Sequence, residues 1–133
     1  MVIDTSALVA ILRREAERRA FIEAIEAADA RLMFIATFVE ISIVIETRYG
    51  ADGLRDLDHF IARAGIELVP VDAEHGKVAC SAFSRFGKGR HRAGLNYGDC
   101  FSYALATSTG ESLAFKGDDF MHTDVALVVL GSG

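Results

Sequence analysis

The amino-acid sequence predicts an α/β domain: a central, mainly parallel sheet with helices on both faces. Three observations predict it. Short apolar runs alternate along the chain with longer segments whose apolar residues recur at helical spacing. The short runs, Leu32 to Ala36 above all, do not alternate apolar with polar, as a strand covered on both faces should not. Strands separated by helices call for crossover connections and hence for parallel pairing.

The elements follow in order. Residues 1–3 are apolar and run straight into a helix ending near Leu12, the first half of a βαβ unit. Residues 15–29 form an amphipathic helix with Ala16, Ala20, Phe21, Ala24, Ile25 and Ala28 on one face. Leu32 to Ala36 is a strand. Thr37 to Tyr49 is a helix with Gly50 as its stop, and residues 52–64 are a further helix ended by Gly65. Ile66 to Val71 is a strand with the sole proline, Pro70, near its end. A helix runs from Asp72 to about Phe86, and a glycine-rich basic loop spans residues 87–94. The helix from Asn96 to Thr109, a strand over Ser112 to Phe115, a turn at Gly117-Asp118-Asp119 and a strand over Ala126 to Leu130 complete the chain.

The bulk numbers set limits. The 133 residues suit one domain, residues 1–133, with a core of its own. No apolar run approaches the roughly 20 residues that span a bilayer. The N-terminus shows no basic region and no cleavage site of a secretory signal, so a cytoplasmic protein is expected. Cys80 and Cys100 belong to no metal-binding spacing and read as thiols. The net charge of −5 argues against a protein that simply coats nucleic acid, a task that needs a basic face. It leaves room for an enzyme that reaches phosphate through metal ions.

Ligands of parallel sheets sit beyond the carboxyl ends of the strands, so acids placed there are informative. Asp4 ends the first strand and Asp118 follows the strand at 112–115. Glu40 lies in the first turn of the helix after the strand at 32–36, and Asp99 in the first turn of the helix from Asn96. Taken singly, each has a structural explanation. Thr37-Phe38-Val39-Glu40 reads as a capping box and Asn96-Tyr97-Gly98-Asp99 as a cap. Asp4 could cap the first helix, and Asp118 could serve its turn. Together they would collect four carboxylates at one sheet edge. Such a cluster must take up protons or hold a cation, and an all-oxygen set favours Mg²⁺ or Mn²⁺ over zinc.

These stretches resemble the PIN-domain ribonucleases, in particular the VapC toxins of bacterial toxin–antitoxin pairs. The matching residues are Val2-Ile3-Asp4-Thr5-Ser6-Ala7, Glu40 in its Ala-Thr-x-x-Glu-Ile setting, Asn96-Tyr97-Gly98-Asp99-Cys100 with Tyr103-Ala104, and Phe115-Lys116-Gly117-Asp118-Asp119-Phe120 with Thr123-Asp124. The resemblance implies a three-layer α/β/α PIN-like fold and Mg²⁺-dependent endoribonuclease activity, with Mn²⁺ able to substitute. It also implies a homodimer and neutralisation by a cognate VapB-type antitoxin. It places the metal-binding acids at Asp4 and Asp99, supported by Glu40 and Asp118, with Thr5 or Ser6 as the hydroxyl that helps hold the site. Of the adjacent pair, Asp118 rather than Asp119 is taken as the fourth acid because it directly follows the Lys-Gly turn. Lys116, beside Asp118, and Arg90 and Arg92 in the basic loop are candidate RNA contacts. Two other readings remain: a PIN-like binding module without catalysis or with a different specificity, and an aspartate-based phosphohydrolase. The latter usually carries a second aspartate two residues after the first, where this chain has Ser6.

Overall fold

The computed structural model describes residues 1–131; residues 132 and 133 of the expected single domain lie outside the described residues. Strands β1 (Val2–Ile3), β2 (Leu32–Phe34), β3 (Glu67–Val69) and β4 (Leu113–Ala114) form one sheet. Its order is β3-β2-β1-β4 and every pairing is parallel. Val2 lies opposite Leu32 on one side and Leu113 on the other, and Met33 opposite Leu68.

Because successive strand residues point to opposite faces, Ile3 and Met33 fill one core and Val2 and Phe34 the other. Helices α1 (Thr5–Leu12), α2 (Arg18–Ala27) and α3 (Ile35–Ala64) supply Leu8, Ile11, Phe21, Ile25, Ile41, Ile45 and Leu57 to the first. Helices α4 (Ala73–Phe86) and α5 (Tyr97–Thr109) supply Ala82, Phe86, Tyr103 and Leu105 to the second. This is the three-layer α/β/α sandwich expected from the sequence.

The chain lays down β1, β2 and β3 in one direction, then α4 and α5 carry it back across the sheet to place β4 on the far side of β1. Between β1 and β4 the winding reverses, which opens a crevice beyond their carboxyl ends. Asp4 follows one of these strands and the turn with Asp118 and Asp119 follows the other.

The helices expected at 37–49 and 52–64 are the two arms of α3, broken at Gly50, whose φ of 65° and ψ of −152° are non-helical and would strain any other residue. Three local expectations are revised. Helix α3 begins at Ile35, two residues early, with Phe34 at its cap, so Thr37 does not cap it. Helix α2 begins at Arg18 rather than near residue 15. Finally, the strand expected over 126–130 is reduced to a single bridge between Leu113 and Leu127. With β4 only two residues long, there is no ladder to extend, and Val129 stands 89% exposed.

Candidate active site

Asp4 is 3% exposed. A carboxylate so far from water must be hydrogen-bonded, and Asp4 has three donors. Its Oδ2 accepts from the Ser6 amide at 3.0 Å and from Ser6 Oγ at 2.6 Å, which caps α1. Its Oδ1 accepts from Ser102 Oγ at 2.6 Å. Ser6 Oγ in turn accepts from the Lys116 amide at 2.9 Å, tying the end of β1 to the loop after β4.

Glu40 is not part of a capping box. Its Oε1 accepts from Thr5 Oγ1 at 2.5 Å, while the buried Thr37 Oγ1 has no partner among the described residues. The other side of the Glu40 carboxyl lies against the backbone of α5. A Cβ at Gly98 would fall 1.9 Å from Glu40 Oε2, so only glycine leaves room for the carboxylate there.

Asp99 does form the capping box read from the sequence: its amide donates to Asn96 Oδ1 at 2.9 Å, and its Oδ2 accepts from the Asn96 amide at 3.0 Å. Capping does not exhaust its role. Burial pushes the Asp99 carboxyl up to about 7, against the lowering effect of the Asn96 amide, and the charges of Asp4, Asp119 and Glu40 push it further the same way. Acids from four separate segments thus share one electrostatic neighbourhood. Of the two turn aspartates, Asp119 bears on Asp99 more strongly than Asp118. Asp119 opens the short 3-10 turn Asp119–His122, whose Phe120 is buried in the core, and Asp118 precedes it; both aspartates are exposed.

The donor set is all oxygen, which suits a hard divalent cation. The raised proton affinity of Asp99 comes first from burial and only then from the neighbouring carboxylates. Among the described residues no three His, Cys, Asp or Glu side chains form a ready-made chelate; the carboxylates of Asp4, Glu40 and Asp99 each turn to an internal donor instead.

The candidate RNA contacts differ in their surroundings. Lys116 Nζ is engaged with Glu15 at 2.5 Å and Glu17 at 2.8 Å, and these carboxylates raise its proton affinity. Its amide, rather than its ammonium, serves the site. The Arg90 guanidinium sits 5.6 Å over the Phe83 ring, and Arg92 is exposed.

Sequence reasoning missed Ser102. It is 1% exposed and stands one helical turn after Asp99, on the same face of α5. A lone serine in the apolar run from Cys100 to Ala106, three residues beyond a candidate acid, was the available signal. Also missed was a network binding α5 to the chain's final segment. Tyr103 Oη donates to Asp124 Oδ1 at 2.5 Å and Arg85 Nη2 to Asp124 Oδ2 at 3.0 Å, which together hold the Asp124 carboxyl below its ordinary value.

Comparisons with known proteins show the family and the fold. The PIN domain family matches residues 1–126. Ribonuclease VapC30 of Mycobacterium tuberculosis is 54% identical over 130 residues, covering 98% of this chain and 99% of that relative. A ribonuclease VapC of Mycolicibacterium smegmatis is 54% identical over 128 residues, 96% of this chain and 99% of its own. The crystal structure of Mycobacterium tuberculosis VapC20, described as a sarcin-ricin loop cleaving toxin, shares the fold with a TM-score of 0.76 at 15% identity, over 96% of this chain and 97% of that one. VapBC2 of Rickettsia felis, solved bound to a DNA fragment of its promoter, gives a TM-score of 0.74 at 11% identity, covering 96% of each chain. On a family match that spans nearly the whole chain and relatives more than half identical, this chain belongs to the PIN-domain family, among its VapC ribonucleases.

Proposed function

We propose that this chain is an endoribonuclease that hydrolyses RNA phosphodiester bonds at the crevice between β1 and β4, with Mg²⁺ as cofactor and Mn²⁺ as a substitute, and that it acts as the toxin of a pair with a VapB-type antitoxin. A homodimer in the cytoplasm belongs to the same reading. One observation carries the chemistry: the segments bearing Asp4, Glu40 and Asp99 meet directly, with Thr5 donating to Glu40, Ser102 of α5 donating to Asp4, and Glu40 lying against Gly98 beside Asp99. The names of the relatives carry the substrate class, and solved toxin–antitoxin assemblies of the same fold support the partner.

Asp4 and Asp99 are the residues that would hold the ion, with Glu40 and the turn acid completing the set. The fourth role goes to Asp119 in preference to Asp118, because its charge bears more strongly on Asp99. A divalent ion bound there would supply Lewis-acid stabilisation of the charge that builds on the phosphate. The protein's own groups do the rest. Ser6 and Ser102 hold both oxygens of Asp4 and so fix its orientation. Asp99 surrenders its proton near neutrality. Glu40, steadied by Thr5, would take a proton from the attacking water. The water oxygen bonds to phosphorus and the bond to the 3′ oxygen breaks. That oxygen takes a proton from solvent, leaving a 5′-phosphate and a 3′-hydroxyl.

The test is cleavage of single-stranded RNA with Mg²⁺, with Mn²⁺ and with excess chelator. Asp4→Asn and Asp99→Asn should each lose activity by at least about 100-fold while keeping the wild-type circular dichroism spectrum. Full activity in either variant, or in the presence of chelator, overturns the reading.

A further inference from the structure

Tyr97 is the first residue of α5 and is 80% exposed, although Gly98 and Asp99, which follow it, belong to the acidic centre. A lone exposed aromatic needs no explanation, but this one is held in place. Its ring packs edge-on against Phe101 at 5.0 Å and 75°. Phe101 packs edge-on against Phe34 at 6.5 Å and 86°, and His75 packs against the same Phe34 at 4.8 Å. Phe34 ends β2 and is 1% exposed. This row of rings anchors Tyr97 to the sheet and leaves most of the tyrosine in solvent. A ring already ordered in the free protein loses little further freedom when something stacks on it.

The surroundings say what that partner is. Tyr97 and Asp99 project about 200° apart around α5; it is the intervening Gly98, against which the Glu40 carboxylate lies, that sets Tyr97 one residue from the acids. Lys88, Arg90 and Arg92 are exposed in the loop that leads into α5. The chain as a whole carries −5, and the acids themselves repel phosphate. Charge therefore supplies little of the grip on a polyanion. Stacking of a base on an aromatic ring is an uncharged contact that sidesteps this problem and tolerates any base.

Resting on the endoribonuclease reading above, we propose that Tyr97 is the platform on which a base of single-stranded RNA stacks beside the bond to be cut, so that it sets the register of cleavage. The chain has no tryptophan, so Tyr97→Trp introduces a single reporter that keeps a stacking ring. In an Asp99→Asn background, titration with a mixed-sequence single-stranded RNA dodecamer should quench its emission. With Mg²⁺ and otherwise native protein, Tyr97→Ala should lower kcat/KM about tenfold, mostly through KM, and Tyr97→Phe should stay near wild type. Tyr49→Ala, which removes the exposed tyrosine of α3, should change neither number.

Wild-type kcat/KM in Tyr97→Ala, or unchanged emission of Tyr97→Trp at RNA concentrations that saturate binding by filter retention, overturns the proposal. So does a Tyr97→Ala protein whose size-exclusion volume shifts while its kcat/KM per site does not, since the ring would then serve a seam between copies. If the wild type fails to cut RNA at all, the endoribonuclease reading falls, and the tryptophan titration still decides whether Tyr97 stacks on a base.

Discussion

Ser102 Oγ reaches across 98 residues of sequence to donate a 2.6 Å hydrogen bond to Asp4 Oδ1, and both residues are almost wholly buried. This contact joins α5 to the end of β1 and fixes the oxygen of Asp4 that Ser6 leaves free. Ser102→Ala would leave a charged acceptor without a donor in the interior. The expected loss is about 1–3 kcal/mol of stability by urea denaturation, together with weaker Mn²⁺ binding by calorimetry. Unchanged stability and metal affinity would show that Ser102 does not position Asp4.

Asp99 binds its proton more tightly in the folded protein, at about 7, than its ordinary 3.8. The folded state therefore holds more protons between those values, and stability falls as pH rises through that window. Asp99→Asn removes the effect while keeping an oxygen to accept from the Asn96 amide. In metal-free buffer the variant should melt higher than wild type at pH 8, by about 3 °C or roughly 1 kcal/mol once solvent screening is allowed for. The difference should vanish near pH 4. Thermal denaturation at the two pH values checks the sign.

A proton and a metal ion compete for the same carboxylate. Mn²⁺ affinity of the wild type should fall about tenfold per unit as pH drops below about 7, the value at which Asp99 titrates. Above that value it should level off. Calorimetric titration from pH 5 to pH 8 reads the slope, and Asp99→Asn should flatten it.

Two glycine-to-alanine changes in helices should act in opposite directions. At Gly76, in α4, an added methyl group would meet nothing within 4 Å, so Gly76→Ala should stabilise by about 0.5–1 kcal/mol. At Gly98 the same methyl would meet Glu40 Oε2 at 1.9 Å. Gly98→Ala should fold, because a carboxylate at the end of a flexible side chain can swing away. It should nonetheless lose RNA cleavage by about tenfold or more, as Glu40 leaves Thr5. Circular dichroism and a cleavage assay on both variants separate the two effects.

The layer architecture was legible because strands covered on both faces read as unbroken apolar runs, and Val2 with Ile3 and Met33 with Phe34 send adjacent side chains to opposite cores. What depended on an offset of one or two residues was not legible. Thr37 and Glu40 have the spacing of a capping box, but α3 starts at Ile35 and dissolves it. Asp118 and Asp119 are equivalent as letters, and only the fold of the turn, with Phe120 drawn into the core, decides which one bears more on Asp99. Ser102 escaped notice because a helical serine usually satisfies itself locally; its partner Asp4 belongs to another element altogether. The bridge at Leu127 in place of a strand follows from the shortness of β4, which periodicity does not report.

The strand order has a consequence for biosynthesis. The acidic neighbourhood draws on residue 4 at one end of the fold and residue 119 near the other, with residues 40 and 99 between. On the proposed reading, a nascent chain would lack its full set of acids until the turn at Asp119 has folded beside β1. The winding of the sheet would then keep a ribonuclease harmless during its own synthesis.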